Sequence, residues 1–566
     1  MENMKELHKR LLSLDGSGLR LCNSIAGDYD FGDFTLNIDF YSQDASRFTA
    51  RVRARMTIEQ AGYPHDVFNM KSRSKAACDF ITRTFDGMCA RHAVKGVGIK
   101  GGWISINRPG QEIFETTAVV AGDESIEIRF TIGLPGKYGK FESKSGLELL
   151  MEKIPRLLRK SLVFKNIDGD MLADWLESCE DADSARSQLK ELGLVAFIAD
   201  GSALVKPRVG ASLTKSGDIT KITAPDDCAI TIELPNKGKV RGFGIPAGIT
   251  VITGTHNGGK STLLRALELG VYDHVPGDGR ELVVTVPDAV GIRSEPKRSV
   301  SRVDLTPFFA TGKAGVDMRW FSTSYASASD SVAAGIIEYL EMGSSLMLID
   351  EDRVPANIIG RDSRMQELVP DTDQASSLVD ILPGLRDTMN VSTVIAVSGA
   401  GDFLDIADTV IVMDKYAPKV VTKKAKEITG KYPGNRKQEW SEKRKPSQSK
   451  RMLMSGSFDT TKGGIDPTLE ETVGLMVRYG EEYIDVSDLC QLVNHSQARA
   501  ISRSLSLVHK LIGGSSSIKE VVSRVMSRIE QVGLDTLSGR QAGDLSMFRA
   551  HELAATINRM KSLKVK

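Results

Sequence analysis

The sequence lacks the features that indicate a membrane protein, a zinc protein or a disulfide-stabilised secreted protein. None of its apolar runs approaches the ~18 consecutive residues that a membrane-spanning helix needs. Its six cysteines form no Cys-x-x-Cys pair, and its eight histidines show no metal-binding spacing. We therefore expect a soluble protein without membrane contact, in a reducing compartment such as the cytosol or the mitochondrial matrix. The first eight residues resemble neither a signal peptide nor a transit peptide.

The net charge is also small, at +1 from 74 Lys and Arg against 73 Asp and Glu. The total charge therefore indicates no particular partner, and only local clusters of charge can do so. The chain has 566 residues, of which 41% are hydrophobic and 26% are charged. These values are typical of a globular protein with about two to four domains.

One stretch fits the phosphate-loop pattern G-x-x-x-x-G-K-[ST], between a β-branched run at 249–252 and a helix-forming run at 263–269. Its glycines allow the backbone to wrap a polyphosphate, and the helix that follows directs its positive end toward the anion. We expect ATP as the ligand, with Lys260 on the β- and γ-phosphates and Ser261 on Mg²⁺. The residues expected to bind the nucleotide are Gly254, Thr255, His256, Asn257, Gly258, Gly259, Lys260, Ser261 and Thr262.

A second signal is the apolar run at 346–349, which ends in Asp350 and Glu351. Such a run predicts a buried strand of a parallel sheet, and the carboxyl ends of these strands are where α/β folds bind ligands. We expect Asp350 to hold the Mg²⁺ shell and Glu351 to act as the general base that activates water. The motif is common by chance and gains weight from the phosphate loop.

A third signal is the helix start that contains Ser327 and Ser329, upstream of Asp350. Hydroxyl groups and free N–H groups at a helix N-terminus suit an anion. In ABC ATPases a signature segment at this interval from the second motif contacts the γ-phosphate bound by the other subunit. The alternative is an ordinary serine N-cap on a core helix.

These motifs resemble a family of ABC-class ATPases that includes a kinetoplastid mitochondrial ATPase associated with RNA editing. The resemblance implies a nucleotide-dependent dimer without transmembrane partners, flanked by an N-terminal and a C-terminal domain. The matching segments span nearly the whole chain and comprise 14–18, 195–201, 242–248, the phosphate loop, 270–281, 349–352, 497–501 and 554–559.

The chain also departs from the pattern of ABC cassettes. The signature segment lacks its leading Leu and both glycines. No His occurs between His274 and His495, so the place of the switch histidine falls to Ser398 or Asp402. A Q-loop glutamine is not evident either, and Glu295 or Arg298 could serve. We expect slow hydrolysis, because missing positioning groups reduce turnover by orders of magnitude.

The expected fold class is α/β, with a P-loop ABC-type ATPase domain, a mixed α/β N-terminal domain and a smaller, mainly helical C-terminal domain. Helical spacing of apolar residues between about 146 and 192 and a buried strand at 194–199 support this division. The expected boundaries are 1–160 for the N-terminal domain, 161–430 for the ATPase domain, 431–465 for a basic linker and 466–566 for the C-terminal domain.

Two clusters of positive charge are candidates for RNA contact. The alternating stretch 47–56 places Arg51, Arg53 and Arg55 on one face of a strand, which suits either phosphates or a charged edge strand. The stretch 415–451 has thirteen Lys and Arg against three Glu, including Lys443, Arg444 and Lys445. This stretch is either a solvated linker or a salt-sensitive contact with a nucleic-acid backbone.

The leading hypothesis is a homodimeric, ATP-dependent clamp that binds and remodels RNA or ribonucleoprotein. The evidence for RNA is the local basic clusters together with the family resemblance. The alternative is a nucleotide-sensing assembly protein that dimerises with ATP and recruits protein partners into a complex. A small-molecule kinase that uses the same loop is disfavoured.

Overall fold

The computed structural model describes residues 2–40, 49–92, 102–204, 220–309, 316–369, 376–439, 450–458, 475–513, 516–539 and 541–566. The chain divides into two units. The first unit consists of Met1–Glu180 with Val532–Met547, and the second consists of Asp181–Gln531 with Phe548–Lys566. In the described part of the chain, no helix combines the length and the apolar character needed to cross a membrane.

The first unit is built on a mainly antiparallel sheet of seven strands. Their order is β1-β2-β3-β4-β8-β5, and β7 also pairs with β8. A small hairpin, β9 with β10, follows. The strands of this part of the chain are β1 (Glu2–Asn3), β2 (Gly27–Asp30), β3 (Thr35–Phe40), β4 (Thr49–Thr57), β5 (Ile104–Ser105), β6 (Glu112–Ile113), β7 (Val119–Ala121), β8 (Ser125–Gly133), β9 (Gly136–Lys137) and β10 (Lys140–Phe141).

Strand β4 confirms the predicted alternation, since Val52 and Met56 are buried while Arg55 on the opposite face is exposed. The interpretation of this stretch as a charged edge strand is wrong. Strand β4 lies inside the sheet and pairs along its length with β3 and β8. The charges of the arginine face therefore have no role in protecting a sheet edge.

The helices of the first unit confirm the helical spacing expected from about residue 146 onward. A π-helical turn, Glu148–Lys153, joins two of them. The helices are α1 (Met4–Ser13), α2 (Ile58–Ala61), α3 (Lys71–His92), α4 (Ser143–Leu147), α5 (Ile154–Leu162) and α6 (Gly169–Gln188), which continues into the second unit.

The second unit contains a six-stranded sheet in the order β17-β20-β21-β14-β22-β23. All neighbours are parallel except β22 and β23. A second, antiparallel sheet has the order β12-β13-β11-β16. The strands are β11 (Leu194–Ala199), β12 (Ala229–Leu234), β13 (Gly238–Pro246), β14 (Ile249–Gly254), β15 (Asp273–His274), β16 (Val283–Thr285), β17 (Val290–Ile292), β18 (Val300–Val303), β19 (Phe321–Thr323), β20 (Leu346–Asp350), β21 (Ser392–Ala396), β22 (Thr409–Asp414), β23 (Ala417–Val420), β24 (Met452–Leu453), β25 (Met476–Tyr479), β26 (Glu482–Asp485) and β27 (Ser516–Ser517).

The strands predicted to be buried are buried, including all six residues of β11 and the first four of β20. Helices cover the parallel sheet and share its apolar core. The helices of this unit are α7 (Lys260–Leu269), α8 (Ala328–Met342), α9 (Ala356–Ile359), α10 (Ser363–Leu368), α11 (Leu378–Met389), α12 (Phe403–Ile406), α13 (Thr422–Lys431), α14 (His495–Leu511), α15 (Ile518–Val532) and α16 (Ala550–Arg559). The expected α/β class with a helical C-terminal region is confirmed.

The C-terminal region packs on the same unit as the phosphate loop. The Tyr272 hydroxyl donates to the carbonyl of Gln491 at 2.7 Å, and Arg265 of α7 donates to the carbonyl of Cys490 at 2.7 Å. Arg451 makes charge-assisted hydrogen bonds to Glu341 of α8 and a further bond to Asn558 of α16. The helices that frame the site are thus held by C-terminal residues.

Candidate nucleotide-binding site

The backbone of the phosphate loop requires glycine. Gly254 and Gly259 have φ values of +142° and +105°, which residues with a side chain rarely adopt. A Cβ at Gly254 would lie 2.1 Å from the carbonyl oxygen of Met413, and one at Gly259 would lie 2.6 Å from the Tyr416 ring. The loop therefore passes directly against the turn that joins β22 and β23.

The predicted strand, loop and helix are all present, with β14 ending at Gly254 and α7 beginning at Lys260. The residues between the glycines, namely Thr255, His256 and Asn257, are exposed. Lys260 Nζ donates to the carbonyl oxygens of Gly254 and Thr255 at 3.1 and 3.2 Å, so its ammonium group lies inside the curve of the loop. Anions suit this position, because the loop and the start of α7 add peptide N–H groups to the positive charge.

The two residues expected to hold Mg²⁺ meet in one cavity. Ser261 and Asp350 line a space of about 660 Å³, together with Thr262, Arg293 and Arg353. A hydroxyl, a carboxylate and the phosphates of a nucleotide form an all-oxygen set that fits Mg²⁺. In the described part of the chain, no group of three or more His, Cys, Asp and Glu side chains forms a separate metal centre.

Glu351 follows β20 and lies close to the loop after β21. Its Oε2 atom accepts hydrogen bonds from the N–H groups of Ser398 and Gly399, at 2.5 and 3.2 Å. This loop is the one to which the family resemblance assigned the switch role. Ser398, one of the two residues weighed for that role, thus contacts Glu351 through its peptide group.

Asp402, the other residue weighed for the switch role, lies elsewhere. Its carboxylate lines a cavity of about 370 Å³ with Asp405 and Arg436. Burial raises the pKa of Asp402, and Arg436 partly offsets this effect. The structure gives no contact between Asp402 and Glu351 among the described residues, and we assign Asp402 no part in positioning that glutamate.

The start of α8 is accessible at its first residues. Ser327 is exposed and caps the helix, accepting from the N–H of Asp330 at 3.1 Å. Ser329 is half-buried, and its hydroxyl lies 3.0 Å from Asn357 Oδ1. Ser327 therefore fulfils the local capping role that was the alternative interpretation, while the same helix end remains open to an anion from outside.

Neither residue weighed for the Q-loop role is available for it. Glu295 forms an ion pair with Arg559 of α16, including a bond from Nε at 2.7 Å. Arg298 donates to Glu338 of α8 at 2.9 Å. Burial alone would raise the pKa of Glu295, but Arg559 outweighs it and holds this pKa below its ordinary value. Both side chains serve internal ion pairs, which corrects that expectation.

The predicted arginine row lies on one face of β4 and has neighbours there. Arg53 donates to Asn37 and Gln541, and its guanidinium is 3.9 Å from Glu127. Arg55 donates to Ser125 Oγ at 2.8 Å, and Arg51 lies opposite Asp39 in the register of β3 and β4. The row thus faces carboxylates and polar groups of its own sheet.

The second basic cluster is only partly described. Lys443, Arg444 and Lys445 lie outside the described residues. Arg436 and Arg451 are almost fully buried and form ion pairs with Asp380 and Glu341. Two of the thirteen positive charges counted in this stretch therefore stabilise the fold and cannot contact a nucleic acid.

Two residues of the site carry no clear sequence signal. Tyr416 contacts the phosphate loop through its ring, and its N–H donates to the carbonyl of Gly258 at 2.8 Å. Arg353 is exposed and lines the cavity of Ser261 and Asp350. The turn after β22 could have pointed to Tyr416 as a site residue. Arg353 can be recognised as one only when β20 is placed beside the phosphate loop.

Three family models match the chain. A P-loop domain model, ABC_ATPase, matches residues 168–450. A model for the N-terminal part of ATPases of the ABC class matches residues 4–165, and the MRB1590 C-terminal domain model matches residues 472–566. Together these matches cover most of the chain.

Individual proteins are similar to parts of this chain. An uncharacterised protein of Methanocaldococcus jannaschii, MJ1628, is 31% identical over 273 residues, which are 45% of this chain. The match spans 58% of that relative's length. Among solved structures, a metal-chelate type ABC transporter in an inward-facing conformation is similar at 15% identity and a TM-score of 0.21, over 35% of this chain and 85% of the transporter chain.

Proposed function

Because the chain belongs to the ABC-class ATPases, as its motifs predicted and the family models confirm, we propose that it is a homodimeric, ATP-dependent clamp acting on RNA. The single observation that best supports the enzymatic part is the arrangement of Lys260, Ser261, Asp350 and Glu351. Ser261 in the first turn of α7 and Asp350 at the end of β20 line one cavity, and Lys260 and Glu351 are their neighbours in the chain. Phosphate binding, metal binding and water activation need this combination.

Each residue has a distinct task in this proposal. Lys260 binds the β- and γ-phosphates, and the N–H groups of the loop add further donors. Ser261 and Asp350 hold Mg²⁺, which neutralises phosphate charge when it is bound. Glu351 accepts the proton of the attacking water. Hydrolysis is slow in this proposal, because Glu295 and Arg298 are held in internal ion pairs and Ser398 contacts Glu351 through its peptide group.

The exposed start of α8 supports dimerisation. The helix N-terminus provides N–H groups that no phosphate of the same subunit uses in this proposal, and the exposed Ser327 hydroxyl, which donates to Asp330 at 2.7 Å, lies beside them. A second copy related by a twofold axis brings this helix end to the γ-phosphate held by its partner. ATP then stabilises the closed dimer, and hydrolysis releases it.

Exposed aromatic side chains paired with cations favour RNA as the partner. Single strands bind where bases stack on aromatic rings and phosphates contact positive charge. Trp320 and Tyr325 are 46% and 65% exposed, and Tyr432 is 68% exposed. The three pairs are Arg302 over Trp320 at 4.7 Å, Lys297 over Tyr325 at 6.0 Å and Lys431 over Tyr432 at 5.2 Å. The row Arg51, Arg53 and Arg55 is a weaker candidate, because Arg53 and Arg55 already bond to protein groups.

Steady-state turnover with and without RNA tests the proposal. We expect slow, Mg²⁺-dependent ATP hydrolysis that single-stranded RNA stimulates and that Glu351→Gln abolishes. RNA affinity should fall steeply with salt, because the contact releases counterions. Undetectable RNA binding at low salt, in the presence of ATP, would overturn the RNA part and leave the ATPase.

The assembly-protein alternative has one observation in its favour. The departures at the switch and Q-loop positions suit an ATPase that holds ATP for long periods, as a timer for protein recruitment does. Nucleotide-dependent capture of a protein partner, with no effect of RNA on turnover, would favour this alternative over the clamp.

A further inference from the structure

The loop after β21 contacts the proposed general base only through its backbone. Both the Ser398 and the Gly399 N–H donate to Oε2 of Glu351, so two donors converge on one oxygen. The parallel pairing of β20 with β21, in the register Asp350 opposite Ala396, brings the residues that follow these strands together. The contact is thus fixed by the sheet itself.

No described residue donates a hydrogen bond to the other carboxylate oxygen, Oε1. Glu351 is half-buried, so part of its side chain is exposed to water. One oxygen is therefore anchored by the loop while the second remains accessible to a reacting water.

We propose that the peptide N–H groups of Ser398 and Gly399 position Glu351 for hydrolysis and replace a switch side chain. This inference rests on the proposed ATPase function and adds the element that orients its base. The two N–H donors hold the carboxylate in one orientation. They also fix which oxygen faces the water, and orientation of this kind contributes strongly to rate.

The positioned Glu351 acts in the hydrolysis of the bond between the β- and γ-phosphates. The water oxygen forms a bond to the γ-phosphorus, and the bond from that phosphorus to the bridging oxygen breaks. The bridging oxygen leaves on ADP with the electron pair. The water proton passes to Oε1 of Glu351, whose Oε2 remains bonded to the two N–H groups, and the proton then leaves to solvent.

Ser398→Pro tests the role because proline removes the N–H, and Ser398→Ala is its matched control because alanine retains it. We expect Ser398→Pro to lower kcat by about 10-fold or more while the KM for ATP changes little, because orientation of the base acts on the chemical step. Ser398→Ala should reproduce the wild-type kcat and KM. ATP affinity should be unchanged in both variants, since no hydrogen bond joins Ser398 to the phosphate loop among the described residues.

The outcomes separate this inference from the function on which it rests. If wild-type protein fails to hydrolyse ATP, the ATPase proposal and this inference fall together. If wild-type protein is active and Ser398→Pro, folded and binding ATP normally, has the wild-type kcat, only the positioning role is wrong.

Residue-resolved hydrogen exchange provides a test that does not depend on tolerance of proline. In wild-type protein the Ser398 and Gly399 amides should be protected, and Glu351→Ala should accelerate their exchange by about 10-fold or more. The Val397 amide is an internal control, because it donates to the carbonyl of Ile252 at 2.8 Å and should be unaffected. Equal exchange at Ser398 and Gly399 in both proteins would overturn the proposed contact.

Discussion

Two loops at the same edge of the parallel sheet contribute to the site in different ways. The backbone of the phosphate loop, 254–259, requires glycines at positive φ. The loop is followed by Lys260, whose ammonium group lies inside its curve. The loop 398–402 contributes two peptide groups and no side chain to Glu351. The phosphate loop is therefore recognisable as a motif, whereas the contact made by the second loop uses peptide groups that every residue except proline has, and it leaves no sequence motif.

The largest expected effect is the loss of the ammonium group in the phosphate loop. Lys260→Ala should reduce turnover by at least about 100-fold, because Lys260 provides the positive charge inside the loop. His256→Ala is the matched control, since His256 is exposed and the loop needs only its N–H. A radioactive or coupled ATPase assay measures the turnover of both variants. Equal losses of turnover would contradict the view that the loop needs the side chain of Lys260 but only the backbone of His256.

The next effect concerns the ion pair at the expected Q-loop position. Arg559→Met leaves Glu295 buried without its cation and should cost roughly 3 kcal/mol of stability, measured by denaturant unfolding. The Glu295 pKa is lowered in the folded protein, so the pair stabilises fully above pH 4.5 and loses its contribution as the pH falls through the lowered value.

Glu295→Gln isolates this pH dependence. The difference in stability between wild-type protein and Glu295→Gln should shrink as the pH is lowered below about 4.5. A constant difference across this range would show that Glu295 does not titrate through the pair. It would then remain a candidate for a role at the nucleotide.

A smaller effect distinguishes the glycines of the two loops. Gly254→Ala should lower stability by about 2 kcal/mol, because the residue has positive φ and the new methyl group would meet the carbonyl of Met413. Gly401→Ala places its methyl group in open space and should be nearly neutral. Thermal unfolding of the two variants is the measurement. Similar unfolding midpoints would show that the phosphate loop does not need its glycine more than the loop 398–402 does.

The smallest expected effect concerns RNA. Trp320→Ala should weaken binding of single-stranded RNA by about 10-fold through loss of stacking. Arg53→Gln should change the affinity less than about 2-fold, since Arg53 already bonds to Asn37 and Gln541. Fluorescence anisotropy with a labelled oligonucleotide measures both, and the reverse order would restore the arginine row as the contact surface.

The sequence predicts the parts of the site that depend on short-range patterns. A buried run followed by Asp350 and Glu351, and a glycine loop between a strand and a helix, are local features, and the structure places them together at one sheet edge. Of the two interpretations of β4, the charged edge strand was wrong, because alternation describes the faces of a strand and says nothing of its neighbours.

The remaining features depend on contacts between distant segments. Arg559 and Glu295 are 264 residues apart, and no pattern in either segment reveals their pairing. The N–H groups of Ser398 and Gly399 exist whatever the side chains are, so only the placement of β20 beside β21 shows where they point. Sequence reasoning therefore named candidate side chains for the site but could not name its backbone donors.

In the proposed clamp, ATP joins two copies of this chain through the phosphate loop of one and the start of α8 of the other. Light scattering of Glu351→Gln after gel filtration with ATP and Mg²⁺ tests it directly, with Lys260→Ala in the same background as the control. We predict the molar mass of two chains for Glu351→Gln with ATP, and of one chain without ATP or with Lys260→Ala added. A single-chain mass for Glu351→Gln at saturating ATP would show that ATP does not join two copies of this chain.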